Sequence, residues 1–312
     1  MAKFLVNVEL AENIFWVGVI DWDIRDFHGY LTRRGTTYNA YIIKDEKTAL
    51  IDTVKHNFSS ELLRNIQEVV VPEEIDYIIV NHLEKDHSSA LPYIAEKAKN
   101  AKIIASKRGK ESIPKYYPEI SNVEAVKTGD QIKLGKRTLS FIEAPMLHWP
   151  DSMFTYIVED AILMPNDAFG QHLATSERFD DEVDEAVLME EAAKYFANIL
   201  MPLSPLIIRK IQEVVNMGIP IKMIAPSHGI IWRSNPMKIV NAYMAWSEGK
   251  SANKVVIVYD TMWGSTAAMA RAIAEGVASQ NVDVKFFKLR DSDVTEIVTE
   301  ILDAKAVVVG SP

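Results

Sequence analysis

The run His82-Leu83-Glu84-Lys85-Asp86-His87 follows directly on the apolar stretch Ile75–Val80. The stretch reads as a short strand, and a helix is expected after the run, capped by Ser88 or Ser89. Residues two apart on extended backbone point the same way, so His82, Glu84 and Asp86 share one side. His87 swings in where the chain turns into the helix. Metal-ligating side chains gathered at a strand end make a compact site for two cations. They also demand an architecture whose loops meet at one edge, where other ligands can reach them. The plain alternative is a solvated polar loop before a helix.

Distant partners favour the metal. His148 lies beyond the strand Thr138–Glu143, Asp167 beyond Ala161–Met164, and His228 beyond Ile221–Ala225. A single histidine in such a place is more often structural than ligating. Three positions that repeat the same placement, with the first motif, point to one shared site. The chain has no cysteine, so disulfides, thiolate zinc and iron–sulfur clusters are excluded and the ligands must be imidazole and carboxylate.

The 312 residues suffice for two domains. Other expected strands are Phe4–Leu10, Ile14–Ile20, Lys102–Ala105 and Phe154–Val158, with a hairpin of Thr37–Ile43 and Thr48–Thr53. Expected helices are Phe58–Val71, Glu185–Leu200 and Pro205–Met217. Strands mixed with helices suggest two sheets covered by helices. Ser247–Asn253 reads as a linker. After it the pattern becomes βαβαβ: Lys254–Tyr259, Ser265–Ser279, Val282–Lys288, Val294–Leu302 and Ala304–Val309. That is the start of a doubly wound parallel sheet. Such a sheet normally has about five strands, so this domain reads as incomplete. The division is then 1–250 and 251–312.

Between the first of these strands and its helix lies Asp260-Thr-Met-Trp-Gly-Ser-Thr266. Backbone N–H groups and a helix N-terminus there aim at a phosphate, with Thr261, Ser265 and Thr266 hydroxyls as extra donors. No lysine follows Gly264 and no G-x-G-x-x-G is present, so neither a triphosphate loop nor a dinucleotide fingerprint is matched. A flavin mononucleotide fits better. The alternative is an ordinary capped helix after a strand. Thr261 to Thr266, including Met262 and Trp263, are the candidate flavin-binding residues, together with Ser311 and Pro312 at the sheet's switch point.

The formal net charge of −9 argues against nucleic acid as a partner. Glu9 and Glu12 interrupt what a signal peptide would need as an apolar core. No apolar run is long enough to span a membrane, so a cytoplasmic protein is expected.

The order His-x-[His or Glu]-x-Asp-His, then distant His, Asp and His, resembles the metallo-β-lactamase superfamily. Hydrolytic members usually carry histidine at the third motif position, and this chain has Glu84. With DWDIRDFHGYLTRRGTTYNAY, NHLEKDHSSALP, HWPDSM, NDAFGQH, APSHGIIWR and the flavodoxin-like loop, the chain resembles the flavodiiron branch. An added carboxylate suits iron in higher oxidation states better than an all-imidazole face. The resemblance implies an α/β fold: an αββα metallo-β-lactamase-like sandwich followed by part of a flavodoxin-like sheet. It implies one iron on His82, Glu84 and His148, another on Asp86, His87 and His228, and Asp167 bridging them. His28 would stand at the open face and position O2 or donate a proton. Its alternative is a satisfied buried histidine, as expected of His172. Trp149 would border the flavin in a dimer or pack in the core.

The implied activity is that of an oxidoreductase. Electrons pass from FMN to the di-iron site, which reduces O2 to water or nitric oxide to nitrous oxide; the sequence does not choose between the gases. Implied donors are rubredoxin, a flavin reductase or a reduced deazaflavin. The implied assembly is a head-to-tail homodimer or a dimer of dimers. The rivals are a dinuclear zinc hydrolase of the same fold, and a flavodoxin-like carrier with a degenerate first domain.

Overall fold

A computed structural model describes residues 7–312. Two sheets stack face to face in the first part of the chain. The larger has seven strands in the order Val8–Ala11, Ile14–Trp16, Tyr41–Ile43, Thr48–Ile51, Ile75–Val80, Lys102–Ser106 and Val123–Val126. The smaller has five: Gln131–Lys133, Thr138–Glu143, Met153–Ile157, Ile162–Met164 and Met223–Ile224. Trp16, Ile51, Ile79, Ile104, Phe141, Met153 and Ile162 interleave between them. The strands carry apolar residues on their other faces as well, and each outer face is covered by helices. Leu62, Ile66, Leu91, Ile94 and Ile113 cover the first sheet. Leu188, Ala192, Ile207, Val214, Ile239 and Tyr243 cover the second. Apolar side chains on both faces of a sheet force this four-layer αββα sandwich.

After the helix Pro236–Ser247, the strand Lys254–Tyr259 begins a separate three-stranded sheet, flanked by Asp283–Lys288 and Ala306–Gly310. Both pairings are parallel. The connecting helices Ser265–Ala278 and Val294–Ile301 bury Ala267 and Ala270 in one cluster and Ile297 in another. That is the doubly wound arrangement expected of a flavodoxin-like fold. Among the described residues no helix is long and apolar enough to cross a membrane.

Several expected elements differ. Of the run Phe4–Leu10, residues 4–6 lie outside the described residues, and the strand is Val8–Ala11. The run Ile14–Ile20 breaks at Val17–Gly18, so that Ile14–Trp16 joins the large sheet and Val19–Asp21 pairs instead with Thr36–Tyr38. The hairpin therefore starts at Tyr41 rather than Thr37. Neither serine caps the helix Leu91–Lys97, whose N-cap is Ala90. The Ser88 hydroxyl donates back to the Leu83 carbonyl at 2.8 Å, and that of Ser89 turns back to Lys85. Asp86 is not on extended chain either: Lys85–Ser88 is already helical, so Asp86 and His87 are delivered by a turn of helix.

The two parts touch beyond their covalent link. Leu31 N–H donates to Thr295 Oγ1 at 3.2 Å, and Arg33 reaches Asp293 at 3.2 Å and Glu296 at 3.5 Å. Asn198 Nδ2 donates to Thr295 O and Thr299 Oγ1, each at 3.4 Å. Leu302 sits in the core of the second helical layer. The helix Val294–Ile301 thus lies against the short hairpin Asp26–Phe27/Tyr30–Leu31.

Candidate metal centre and flavin loop

The strand Ile75–Val80 ends at Asn81, and the loop 144–152 follows Thr138–Glu143. Asn166-Asp167 follows Ile162–Met164, and Ser227-His228 follows Met223–Ile224. These strand ends meet at one edge of the sandwich. There the side chains form two groups sharing one carboxylate. In the first, His82 Nε2 lies 3.4 Å from Glu84 Oε2 and 3.4 Å from Asp167 Oδ2. His148 Nε2 lies 3.1 Å from the same Glu84 oxygen and 3.3 Å from Asp167 Oδ2. In the second, Asp86 Oδ2 is 2.9 Å from His87 Nε2 and 3.0 Å from His228 Nε2. Asp167 Oδ1 stands 3.0 Å from His87 and 3.6 Å from His228. The two oxygens of Asp167 therefore face opposite groups, as a bridging carboxylate must.

Buried polar groups are normally hydrogen-bonded. Here Asp86 Oδ1 and Oδ2, Asp167 Oδ2, His148 Nε2 and His228 Nε2 are buried and have no hydrogen-bond partner. They crowd together without the alignment of hydrogen bonds, which fits lone pairs converging on cations. Without cations the groups can only balance one another. Burial alone would depress His82, but bonds to Asp151 and Glu84 lift it to about 10. Burial alone would raise Glu84, but His148 and His82 hold it down to about 2. An all-N/O set with one carboxylate in each group and a third, Asp167, between them suits iron.

A surrounding shell of residues orients these ligands. His228 Nδ1–H donates to the Thr37 carbonyl at 2.6 Å, which leaves Nε2 as the free donor atom for metal. Asp151 Oδ2 accepts Leu83 N–H at 2.7 Å and stands 3.4 Å from His82 Nδ1. Ser227 Oγ donates to Asp167 Oδ1 at 3.1 Å. The fully buried Asp52 accepts from Asn81 N–H at 2.7 Å, Asn81 Nδ2 at 3.0 Å and Asn166 Nδ2 at 3.1 Å. It thereby locks the chain neighbours of His82 and Asp167 to each other. Gly229, at φ +73°, leaves no room for a Cβ against Gln171, which lets the backbone after His228 pass close. None of these supporting residues was singled out in the sequence. Asp151, three residues beyond His148 in HWPDS, carried the nearest thing to a signal.

His28 sits at the tip of the Asp26–Leu31 hairpin with φ +52°, followed by Gly29 at φ +77°. Positive φ at both tip residues is the two-residue turn that suits a twisted hairpin. The ring stacks on Phe27 at 4.0 Å and places Nε2 3.5 Å from Glu84 and 3.8 Å from Asp86. Its Nδ1 faces His172 Nε2 at 3.3 Å, and His172 Nδ1 is held by Thr36 Oγ1 at 2.8 Å. Burial holds His28 down to about 4. Trp149 stands edge-on to His82 at 5.2 Å, half-buried. His56 is exposed and belongs to none of the ligand groups.

In the second part, Gly264 takes φ +93° and its N–H donates to Thr261 Oγ1 at 3.0 Å. The loop ends on the N-terminus of the helix Ser265–Ala278, with Thr266 buried and Met262 and Trp263 exposed. Gly310 lies opposite Tyr259 in the parallel sheet, so Ser311 and Pro312 leave at the same end as this loop.

A two-group histidine–carboxylate cluster able to hold metal, on a metallo-β-lactamase-like sandwich joined to a flavodoxin-like sheet, defines a class of two-module redox metalloprotein. Family models agree: an ODP family beta lactamase matches residues 36–229, and a flavodoxin matches 257–312. The nitric oxide reductase of Moorella thermoacetica is 54% identical, over 98% of this chain and 77% of its own length. The rubredoxin oxygen:oxidoreductase of Desulfovibrio gigas superposes with a TM-score of 0.95 at 42% identity, covering 98% of this chain and 77% of that one. The flavodiiron protein of Giardia intestinalis gives 0.93 at 38%, covering 99% and 76%. The chain belongs to the flavodiiron proteins.

Proposed function

We propose that this protein is a flavodiiron oxidoreductase that reduces O2 to water, nitric oxide to nitrous oxide, or both, with electrons delivered through FMN. The observation that carries the reading is Asp167, whose two oxygens face two separate ligand groups. The first of those groups holds Glu84 where hydrolytic relatives of the fold usually hold histidine. When bound, the irons and flavin supply electrons and a place for the gas.

The chain's own residues do the rest. His82, Glu84 and His148 would hold one iron, Asp86, His87 and His228 the other, and Asp167 would bridge. Asp151, Thr37 and Asp52 fix the ligands before metal arrives, so little reorganisation is needed. His28, whose Nε2 lies 3.5 Å from Glu84 and 3.8 Å from Asp86, would position the gas or pass a proton from His172. Thr261, Gly264, Ser265 and Thr266 would cradle the FMN phosphate, with Met262, Trp263, Ser311 and Pro312 beside the flavin.

The reading divides the chain into a di-iron domain, 1–250, and an FMN-binding part, 251–312, and the start of a separate sheet at Lys254–Tyr259 supports it. A head-to-tail homodimer, alone or paired into a dimer of dimers, would set one subunit's flavin against the other's irons, because a two-fold interface forms both crossed contacts together. Rubredoxin, a flavin reductase or a reduced deazaflavin would serve as donor, in the cytoplasm. The test is metal analysis of full-length protein made with iron available, with O2 and nitric oxide consumption measured side by side from reduced FMN. About two irons per chain and turnover of at least one gas is the expected result. Two zincs, hydrolysis of a thioester or phosphodiester and no gas turnover would refute it in favour of a hydrolase.

A further inference from the structure

We infer that the apolar cavity between the second sheet and the helices Ser204–Asn216 and Pro236–Ser247 is a binding site for a small, uncharged, weakly polar molecule of the diatomic-gas class. The inference rests on the proposed gas-reducing function for its biological meaning. The observations beneath it are independent of that function.

The cavity measures about 170 Å³. Leu163, Phe169, Ile207, Val214 and Val240 form much of its wall, and its polar lining side chains are Lys210 and Tyr243. Both are engaged elsewhere. Lys210 Nζ donates to the Glu143 carbonyl and to Glu213, each at 2.7 Å, and the Tyr243 hydroxyl accepts Phe169 N–H at 2.9 Å. Water held in such a place needs about two to four polar partners, which this lining does not supply, and apolar cavities of similar size take benzene or xenon. Interiors otherwise pack with few voids larger than water. A charged ligand would find no counter-charge free on this wall, and a polar one would find a single hydrogen bond, from the Tyr243 hydroxyl, whose oxygen already accepts Phe169 N–H. A weakly hydrated diatomic loses little on leaving water and gains contact with the lining.

Position gives the cavity a role. It runs beside the helix from Ile207 to Val215, about 12 Å at 1.5 Å per residue. One end lies under the loops that carry the site: Leu147 and Ala168 line it, and they are the chain neighbours of His148 and Asp167. The other end reaches Val215 and Met237, which are 62% and 42% exposed. The apolar lining thus runs from exposed residues of the outer surface to the chain neighbours of His148 and Asp167.

The test uses full-length protein crystals under xenon pressure. Xenon is expected between Leu147, Phe169 and Val214. Val214→Phe should remove it and raise KM for the reduced gas severalfold, with kcat at saturating gas and iron content unchanged. Val240→Leu fills less and serves if the larger side chain prevents folding; it should give a smaller shift in the same direction. A wild-type cavity without xenon overturns the inference, as does a filled cavity that excludes xenon yet leaves KM unchanged. An alkyl chain found there in the isolated protein would make it a lipid-chain site instead. Xenon occupancy does not depend on turnover, so protein that holds xenon but reduces neither gas refutes the proposed function alone.

Discussion

Asp151 is the supporting residue whose removal separates ligand orientation from folding. It is 5% exposed, accepts Leu83 N–H at 2.7 Å and stands 3.4 Å from His82 Nδ1. Asp151→Asn keeps an oxygen for Leu83 but loses the charge that orients His82 and makes its other nitrogen a better donor. Loss of such a partner costs about 10–100-fold in metal affinity, which is roughly 1.4–2.8 kcal/mol. Asp151→Ala also orphans the buried Leu83 N–H, adding about 1–3 kcal/mol of lost stability. The assay is iron release to a competing chelator, with thermal unfolding of metal-free and loaded protein. We predict that the asparagine variant releases iron at least tenfold more readily while its metal-free melting point hardly moves. The alanine variant should lose both iron affinity and several degrees, at about 2–4 °C per kcal/mol for a chain near this size. Wild-type iron affinity in Asp151→Asn would show that the His82 ring is set by packing, and the account of Asp151 would fail.

Glu84→His should weaken iron retention and slow gas reduction while zinc binding survives; equal O2 turnover would contradict the role given to that carboxylate. Gly264→Ala meets open space but forces φ +93° on a residue with a Cβ, costing about 1–2 kcal/mol, so FMN titrated into the full-length protein should bind roughly tenfold more weakly. Thr295→Val removes the acceptor for Leu31 N–H; that amide should lose about 0.5–1.5 kcal/mol of hydrogen-exchange protection, and Thr295→Ser should restore it. Asp180 is depressed: burial opposes this, but the Ser234 hydroxyl and the N–H groups of Ser234, Arg233 and Asn235 outweigh it. Its contribution is therefore present above the ordinary carboxylate value and is lost as pH falls through the lower folded value. The melting-point gap between wild type and Asp180→Asn should close on acidification below about pH 4, and a gap that widened would reverse the sign.

Much of this was legible because the strands leading into the site carry strong strand patterns, alternating at Leu139, Phe141 and Ile142 in one case and continuously apolar after Lys254 in another. Thr138–Glu143 and Lys254–Tyr259 have the bounds their hydrophobicity suggests. The split of Ile14–Ile20 carries one local signal, Gly18, where a Cβ would meet the Tyr38 carbonyl; the different pairing partners of its halves are not written in the run itself. The helix Pro236–Ser247 is illegible for another reason: PMKIVNAYMAWS is apolar around most of its circumference and shows little periodicity. The histidines stood out by rarity, seven in the chain, whereas Asp52 and Asp151 are two among 43 acidic residues. Their importance comes from burial beside ligands far away in sequence. Asp86 comes to the cluster from a first turn of helix, not from the strand alternation that its spacing suggests.

The contact between the helix Val294–Ile301 and the His28 hairpin bears on how such a chain can be taken apart or recombined. The covalent joint near residue 250 invites the exchange of one flavin module for another. The mechanical joint lies elsewhere, where Thr295 and Asp293 hold Leu31 and Arg33. A foreign module spliced at the linker would bring a phosphate loop but not these two residues, and the hairpin tip over Glu84 would lose its outer brace. Modules of this kind are interchangeable at the level of the sheet and specific at the level of one helix face, so a working hybrid must carry that face along with the cofactor.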